Sequence, residues 1–218
     1  MSIRVSLRNG VIISNLFRLL MVFSAVGSII ENNYINVLTA CVAFALSYLP
    51  SFLRKKRYLY LPVQFQIVLT LFFFASLYLG SIKGFYYRYW WWDTLLHTAS
   101  GFMLGLVGFL LVYTLNSHKR KAFTLSPFFI VLFSFCFAMT IGTMWEIYEF
   151  SMDSLFGWDM QKSGLVDTMF DLIADMIGAA TSSIYGYIYI REHHKNRNKK
   201  NRHHDIIDTI RQFKTEKH

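Results

Sequence analysis

Apolar residues run along this chain in long blocks separated by short polar clusters, and the length of the blocks predicts helices that cross a bilayer. A helical span needs about 20 mostly apolar residues to cover ~30 Å of hydrocarbon. The stretches that qualify are Val11 to Ile30, Tyr34 to Leu53, Leu61 to Ile82, Thr94 to Leu115, Pro127 to Phe150 and Thr168 to Ile190. The first contains Arg18, which must snorkel or find a partner. A start nearer Leu16, with the preceding residues along the membrane surface, is the alternative. Ser126-Pro127 is a good helix start, because proline at the first helical position gives up only an N–H that would be orphaned anyway. The expected fold is all-α, a six-span bundle over residues 1–190 with a polar tail over 191–218.

The polar clusters between blocks differ in charge, and the difference orients the bundle. Lys and Arg in short loops favour the cytoplasmic side. Arg54-Lys55-Lys56-Arg57 follows the second block, Lys119-Arg120-Lys121 the fourth, and a run of Lys and Arg the sixth, while Arg4 and Arg8 precede the first. The alternate connections hold Lys83, Arg88 and Lys162 beside several acids. Both termini are therefore expected in the cytoplasm, in a multi-pass cell-membrane protein. All five tryptophans (Trp90, Trp91, Trp92, Trp145 and Trp158) fall at the opposite, outer end with Tyr86, Tyr87 and Tyr89. Indole and phenol rings prefer the headgroup level; the same belt also suits the rim of an outward-facing cleft.

Composition agrees with this frame. The chain is 54% hydrophobic and only 16% charged, which excludes an ordinary soluble core. A net charge of +9 does not imply nucleic acid here, because the basic residues lie between apolar blocks and in the tail. Contact with membrane lipid, and of the tail with anionic lipid, accounts for them better. Cys41 and Cys136 both fall inside predicted spans, with no spacing for a disulfide framework or a thiolate metal site. The N-terminal residues lack the pattern of a cleaved signal peptide, so the first span is expected to act as its own insertion signal. In the tail, His193, His194, His203 and His204 are expected in a solvated segment, and Ile206, Ile207, Ile210 and Phe213 recur at the spacing of a short amphipathic helix on the inner leaflet.

The candidate chemistry lies at the outer ends of the last three spans. Asp93 and His97 are four apart and share a helix face, followed at the same spacing by Gly101 and Gly105, which admit a close neighbour. Asp93 also suits a helix N-cap, and His97 a core hydrogen bond. In the fifth span Glu146, Glu149 and Asp153 recur at three and four, forming an acidic stripe. Like charges at the negative end of a helix need a cation, a shared proton or a basic neighbour such as Arg88. In the sixth, Asp167, Asp171 and Asp175 are each four apart, with Asp175 about 12 Å deeper than Asp167. Asp167 is an ordinary N-cap candidate, but Asp175 lies beyond the first turn, where an ionisable group marks a site. Gly178, Ser182 and Gly186 continue that spacing. One imidazole among carboxylates suits Mg²⁺, Mn²⁺ or Ca²⁺, with Zn²⁺ reachable through His97.

At these residues the chain resembles the YjdF-like family of uncharacterised bacterial inner-membrane proteins. The matching pieces are Asp93 with His97 and Gly101-Phe102, Trp145-Glu146 with Glu149, then Asp167-Thr168, Asp171, Asp175 and Gly178-Ala179. They cover the chain from Tyr89 to Ala179. More distantly the series is similar to VanZ-like membrane proteins, which are linked to glycopeptide tolerance. Those have an amide-bearing residue where this chain has Glu149 after Glu146 and Asp175 after Asp171. The first resemblance implies no particular activity.

The residues themselves leave three functions open. In the first, an enzyme acts on lipid-linked or cell-envelope substrates with a divalent metal. His97, Glu146, Asp171 and Asp175 would be ligands, and His97, Glu149 and Asp175 would carry the chemistry. The second is a proton- or cation-coupled transporter or flippase using the same acids as a relay. The third is a scaffold whose polar cluster, with Asp93, Asp153 and Asp167 at its margin, holds three helices in register.

Overall fold

The computed structural model describes residues 2–48, 52, 63–118 and 125–215, and among them every regular element is helical. The order is α1 (Ser2–Ile30), α2 (Tyr34–Leu46), α3 (Val63–Phe73), a π-helical continuation of α3 (Phe74–Ile82), the one-turn α4 (Phe85–Arg88), α5 (Trp92–His118), α6 (Pro127–Phe156) and α7 (Leu165–Thr215). Trp92–Tyr113 and Pro127–Phe156 are long and apolar enough to cross a membrane, while Ser14–Ile30, Asn36–Leu46 and Ile67–Ile82 are apolar but shorter. The basic clusters Arg54 to Arg57 and Lys119 to Lys121, and the predicted end of the second span, lie outside the described residues.

The helix ends follow from local chemistry. Asn33 caps α2 by accepting the Asn36 N–H at 3.1 Å. Ser126 caps α6 by accepting the Phe129 N–H at 3.2 Å, with Pro127 in the first turn as expected. Gly157, in the left-handed region at φ 67°, ends α6 by donating its N–H to Asp153 O at 3.0 Å. Two boundaries depart from expectation. α1 is unbroken from Ser2, with no separate surface segment. α7 runs 51 residues, straight through the predicted tail to Thr215. Between Ile190 and Thr215 the sequence holds neither glycine nor proline, so nothing local stops the helix.

Two three-helix units result. In the first, α2 returns against α1. Arg18 is tied there by Nε to Ser47 Oγ at 3.0 Å, Nη2 to Ser47 O at 2.9 Å and Nη1 to Asn15 Oδ1 at 2.8 Å. Its guanidinium carbon also lies 3.9 Å from the Tyr48 ring centroid, so the half-buried charge is held by neutral hydrogen-bond acceptors and a ring face. α3 lies alongside α1, with Phe17 stacked on Phe74. The second unit packs α5, α6 and α7. A Cβ at Gly101 would strike the backbone of Asp175, one at Gly178 the backbone of Thr98, and one at Gly105 the Ser182 side chain. The small residues therefore let α5 and α7 touch almost backbone to backbone.

Burial is inverted relative to a soluble protein. α6 turns Ser134, Gly142, Glu146 and Glu149 inward while Phe128, Phe129, Leu132, Met144 and Ile147 face out. α7 buries Asp171, Asp175, Ser182 and Ser183 and exposes Met169, Phe170, Ile173 and Ile177. Such an apolar exterior is an aggregation liability in water and suits hydrocarbon.

Candidate functional site

His97 stands at the meeting point of α5, α6 and α7, 7% exposed. Its Nε2 faces one carboxylate from each helix: Asp93 Oδ1 at 3.8 Å, Glu146 Oε1 at 3.7 Å and Asp171 Oδ2 at 4.0 Å. These separations are too long for hydrogen bonds. They are a few tenths of an ångström wider than the ~3.4 Å ligand–ligand edge of a tetrahedral ion with ~2.1 Å bonds. One ligand atom each from Asp93, His97 and Asp171 lies within 4.8 Å of the others, and Glu146 approaches that group only through Nε2. Glu146 is 3% exposed, yet neither of its carboxylate oxygens has a hydrogen-bond partner among the described residues. The neighbouring Thr168 hydroxyl accepts the Gln161 amide N–H at 2.6 Å, which leaves its own O–H as the donor nearest to Glu146. A buried carboxylate without a partner is costly, and a cation beside Nε2 would relieve it.

The opposite ring nitrogen is held differently. His97 Nδ1 lies 3.3 Å from Asp175 Oδ2, and the other Asp175 oxygen accepts the Ser100 hydroxyl at 2.9 Å. Asp175, expected as a ligand, thus faces the ring nitrogen opposite the one that Asp93, Glu146 and Asp171 face. Its place is cut by Gly142, where a Cβ would meet the Asp175 carboxylate. A carboxylate on the far nitrogen fixes the tautomer and orientation of a metal-binding imidazole.

The remaining expected residues lie around this centre. Glu149 is buried, accepts the Trp145 indole N–H at 2.9 Å and lies within electrostatic reach of Glu146, His97 and Asp93. Asp153 is not among the groups facing His97; its two oxygens accept the N–H groups of Met160 and Gln161, each at 2.8 Å, and shape the loop between α6 and α7. Asp167 sits in the first turn of α7 facing Lys162, not at the N-cap, which falls at Gly164 with φ 61°. Asp93 likewise is inside the first turn of α5, so its carboxylate is free to reach sideways.

Three participants escaped the sequence reading. Lys162 donates to Asp93 Oδ2 at 2.7 Å and lies 5.0 Å from the Tyr86 ring centroid, placing a cation at the mouth of the cluster. Tyr86 exchanges a hydrogen bond with Ser76 at 2.9 Å, and burial pushes its phenol well above the ordinary range, so it remains a neutral hydroxyl. Ser100 was legible in principle, because it lies three residues beyond His97 on the same face. Lys162 carried no such signal, since only the fold of the loop brings it to Asp93.

These features define a helical membrane protein with an acid–histidine cluster buried among its last three helices. The chain belongs to the family described as "Predicted membrane protein (DUF2238)", whose pattern matches residues 13–192. It is also similar to an uncharacterized protein of Thermotoga maritima, 26% identical over 154 residues, 71% of this chain and 78% of the relative. No solved structure matches. Neither description names an activity.

Proposed function

We propose that His97, Asp93, Glu146 and Asp171 bind a divalent metal ion in a six-span protein with cytoplasmic termini, and that the site serves an enzyme acting on lipid-linked or cell-envelope substrates. The observation that carries the metal reading is Glu146, a buried carboxylate without a partner directed at an imidazole nitrogen already faced by two other acids. One nitrogen and three oxygens favour Mn²⁺ or Zn²⁺ over Ca²⁺, which prefers six to eight oxygens. A bound ion would supply Lewis acidity at the reacting ester or phosphoester. Asp175 would hold His97 in the ligating tautomer, Glu149 would exchange a proton with the substrate or water, and Lys162 would meet an anionic group arriving at the mouth. Support for a lipid-linked substrate comes from an apolar cleft of about 500 Å³ between the two helical units, lined by Leu71, Phe72, Leu96, Phe102 and Met103 among others.

The test is a chelator-treated, purified sample titrated with Mn²⁺, Zn²⁺ or Mg²⁺ while thermal stability is recorded. Linkage predicts about 2.7 kcal/mol of stabilisation at a hundredfold excess of ion over its dissociation constant. Absence of both an ion-dependent shift and co-purifying metal would sink the metal reading. Turnover of an envelope-lipid extract, followed by mass spectrometry, then tests the enzyme: it should require the ion and disappear in Glu149→Gln.

A further inference from the structure

A second polar cavity lies in the other helical unit, away from His97. It measures about 240 Å³ and is lined by Ser24, Gly27 and Glu31 of α1 and its end, Asn36 of α2, and Tyr78 and Lys83 at the π-helical end of α3. Its wall is predominantly polar, unlike the apolar cleft between the units. The wide π turn makes it: Lys83 N–H bonds Tyr78 O at 2.9 Å, five residues back, and brings Tyr78, Ile82 and Lys83 to one side of the space. Lys83 Nζ lies 5.6 Å from the Tyr78 ring centroid, which limits where the ammonium can go.

Two observations distinguish this cavity from a packing gap. Glu31 and Lys83, both exposed, line it as opposite charges that form no ion pair with each other. A Cβ built on Gly27 meets nothing within 4 Å, so the glycine is not there for helix contact and instead leaves the floor open. Asn36, in the first turn of α2, also borders the space, its backbone N–H already held by the Asn33 cap.

We propose that this cavity binds a small zwitterion, an ammonium held by Glu31 and an anionic group held by Lys83. Phosphoethanolamine has that chemistry, either as a membrane-lipid headgroup or free. The volume suits a headgroup and not an acyl chain, being below the ~300–1,000 Å³ of ordinary drug-sized pockets.

The experiment measures the thermal stability of the purified full chain in detergent against dihexanoyl-phosphatidylethanolamine, dihexanoyl-phosphatidylglycerol and free phosphoethanolamine. A saturable upward shift is expected with an ethanolamine compound, and half-saturation by the glycerol lipid should need at least about tenfold more, because it lacks the charge-assisted bond to Glu31. Equal response to free and lipid-borne phosphoethanolamine assigns recognition to the headgroup alone; a stronger response to the lipid assigns the lipid as source. Gly27→Leu fills the floor and Glu31→Gln removes the charge; each should abolish the shift while the ligand-free melting temperature stays near wild type. No saturable shift with either ethanolamine compound, an equal shift with the glycerol lipid, or a shift that survives both substitutions overturns the proposal.

Discussion

Glu146 and Asp175 are both buried acids in the same cluster, but their surroundings give them opposite behaviour. Glu146 has no hydrogen-bond partner, so Glu146→Gln removes a charge that the metal-free protein holds at a cost. Its melting temperature without metal should rise, or at least not fall, while the metal-dependent shift is lost. A large loss of stability in the absence of metal would show that Glu146 is already satisfied and would count against it as a metal ligand. Asp175 is satisfied twice, by His97 and Ser100. Asp175→Asn should leave the fold intact and weaken metal affinity about 10- to 100-fold, the usual effect of removing a carboxylate behind a ligating histidine. Titration of metal into the variant, read by thermal shift, checks it; complete loss of binding would restore Asp175 to the ligand set. The difference between the two acids was invisible in sequence, where spacing of three and four shows only that residues share a face.

At the scale of elements, legibility tracked how local the cause was. The start of α6 at Pro127 and the close contact of α5 with α7 along Gly101, Gly105 and Gly178 follow from residue types a few positions apart. The regular part of α2 ends at Leu46, and the expected end of that span at Leu53 lies outside the described residues. The π turn in α3 and the 51-residue α7 were missed: hydropathy records neither a change of hydrogen-bond step nor the failure of a helix to end. The Gly142 notch makes an element-level prediction. Gly142→Ala drives a methyl into the Asp175 carboxylate, so α6 and α7 must separate or Asp175 must leave His97. A cost of about 1–3 kcal/mol is expected from overpacking, together with weakened metal binding. Gly84→Ala is the contrasting case, since its Cβ meets nothing and only the positive φ of 72° is strained. It should lower the melting temperature without touching the metal-dependent shift. Metal binding unchanged in Gly142→Ala would separate the notch from the site.

Across the whole molecule, the two three-helix units differ in where they hold charge. The first hydrogen-bonds Arg18 internally near the middle of α1, whereas the second gathers its acids at one end, beneath the loop that carries Lys162. That end holds the five tryptophans and few basic residues, while the opposite connections carry the basic clusters. The charge asymmetry predicts that the acid-bearing end faces away from the cytoplasm. Single cysteines at Ser163 and Ser117, in a background with Cys41 and Cys136 replaced, test it in intact cells. The cysteine at 163 lies in the exposed loop between α6 and α7 and should react with a membrane-impermeant thiol reagent. The cysteine at 117, at the far end of α5, should react only after the membrane is permeabilised. Labelling in the reverse order would put the His97 cluster on the cytoplasmic side, and the substrate would then have to be sought among inner-leaflet lipids instead of the outer envelope.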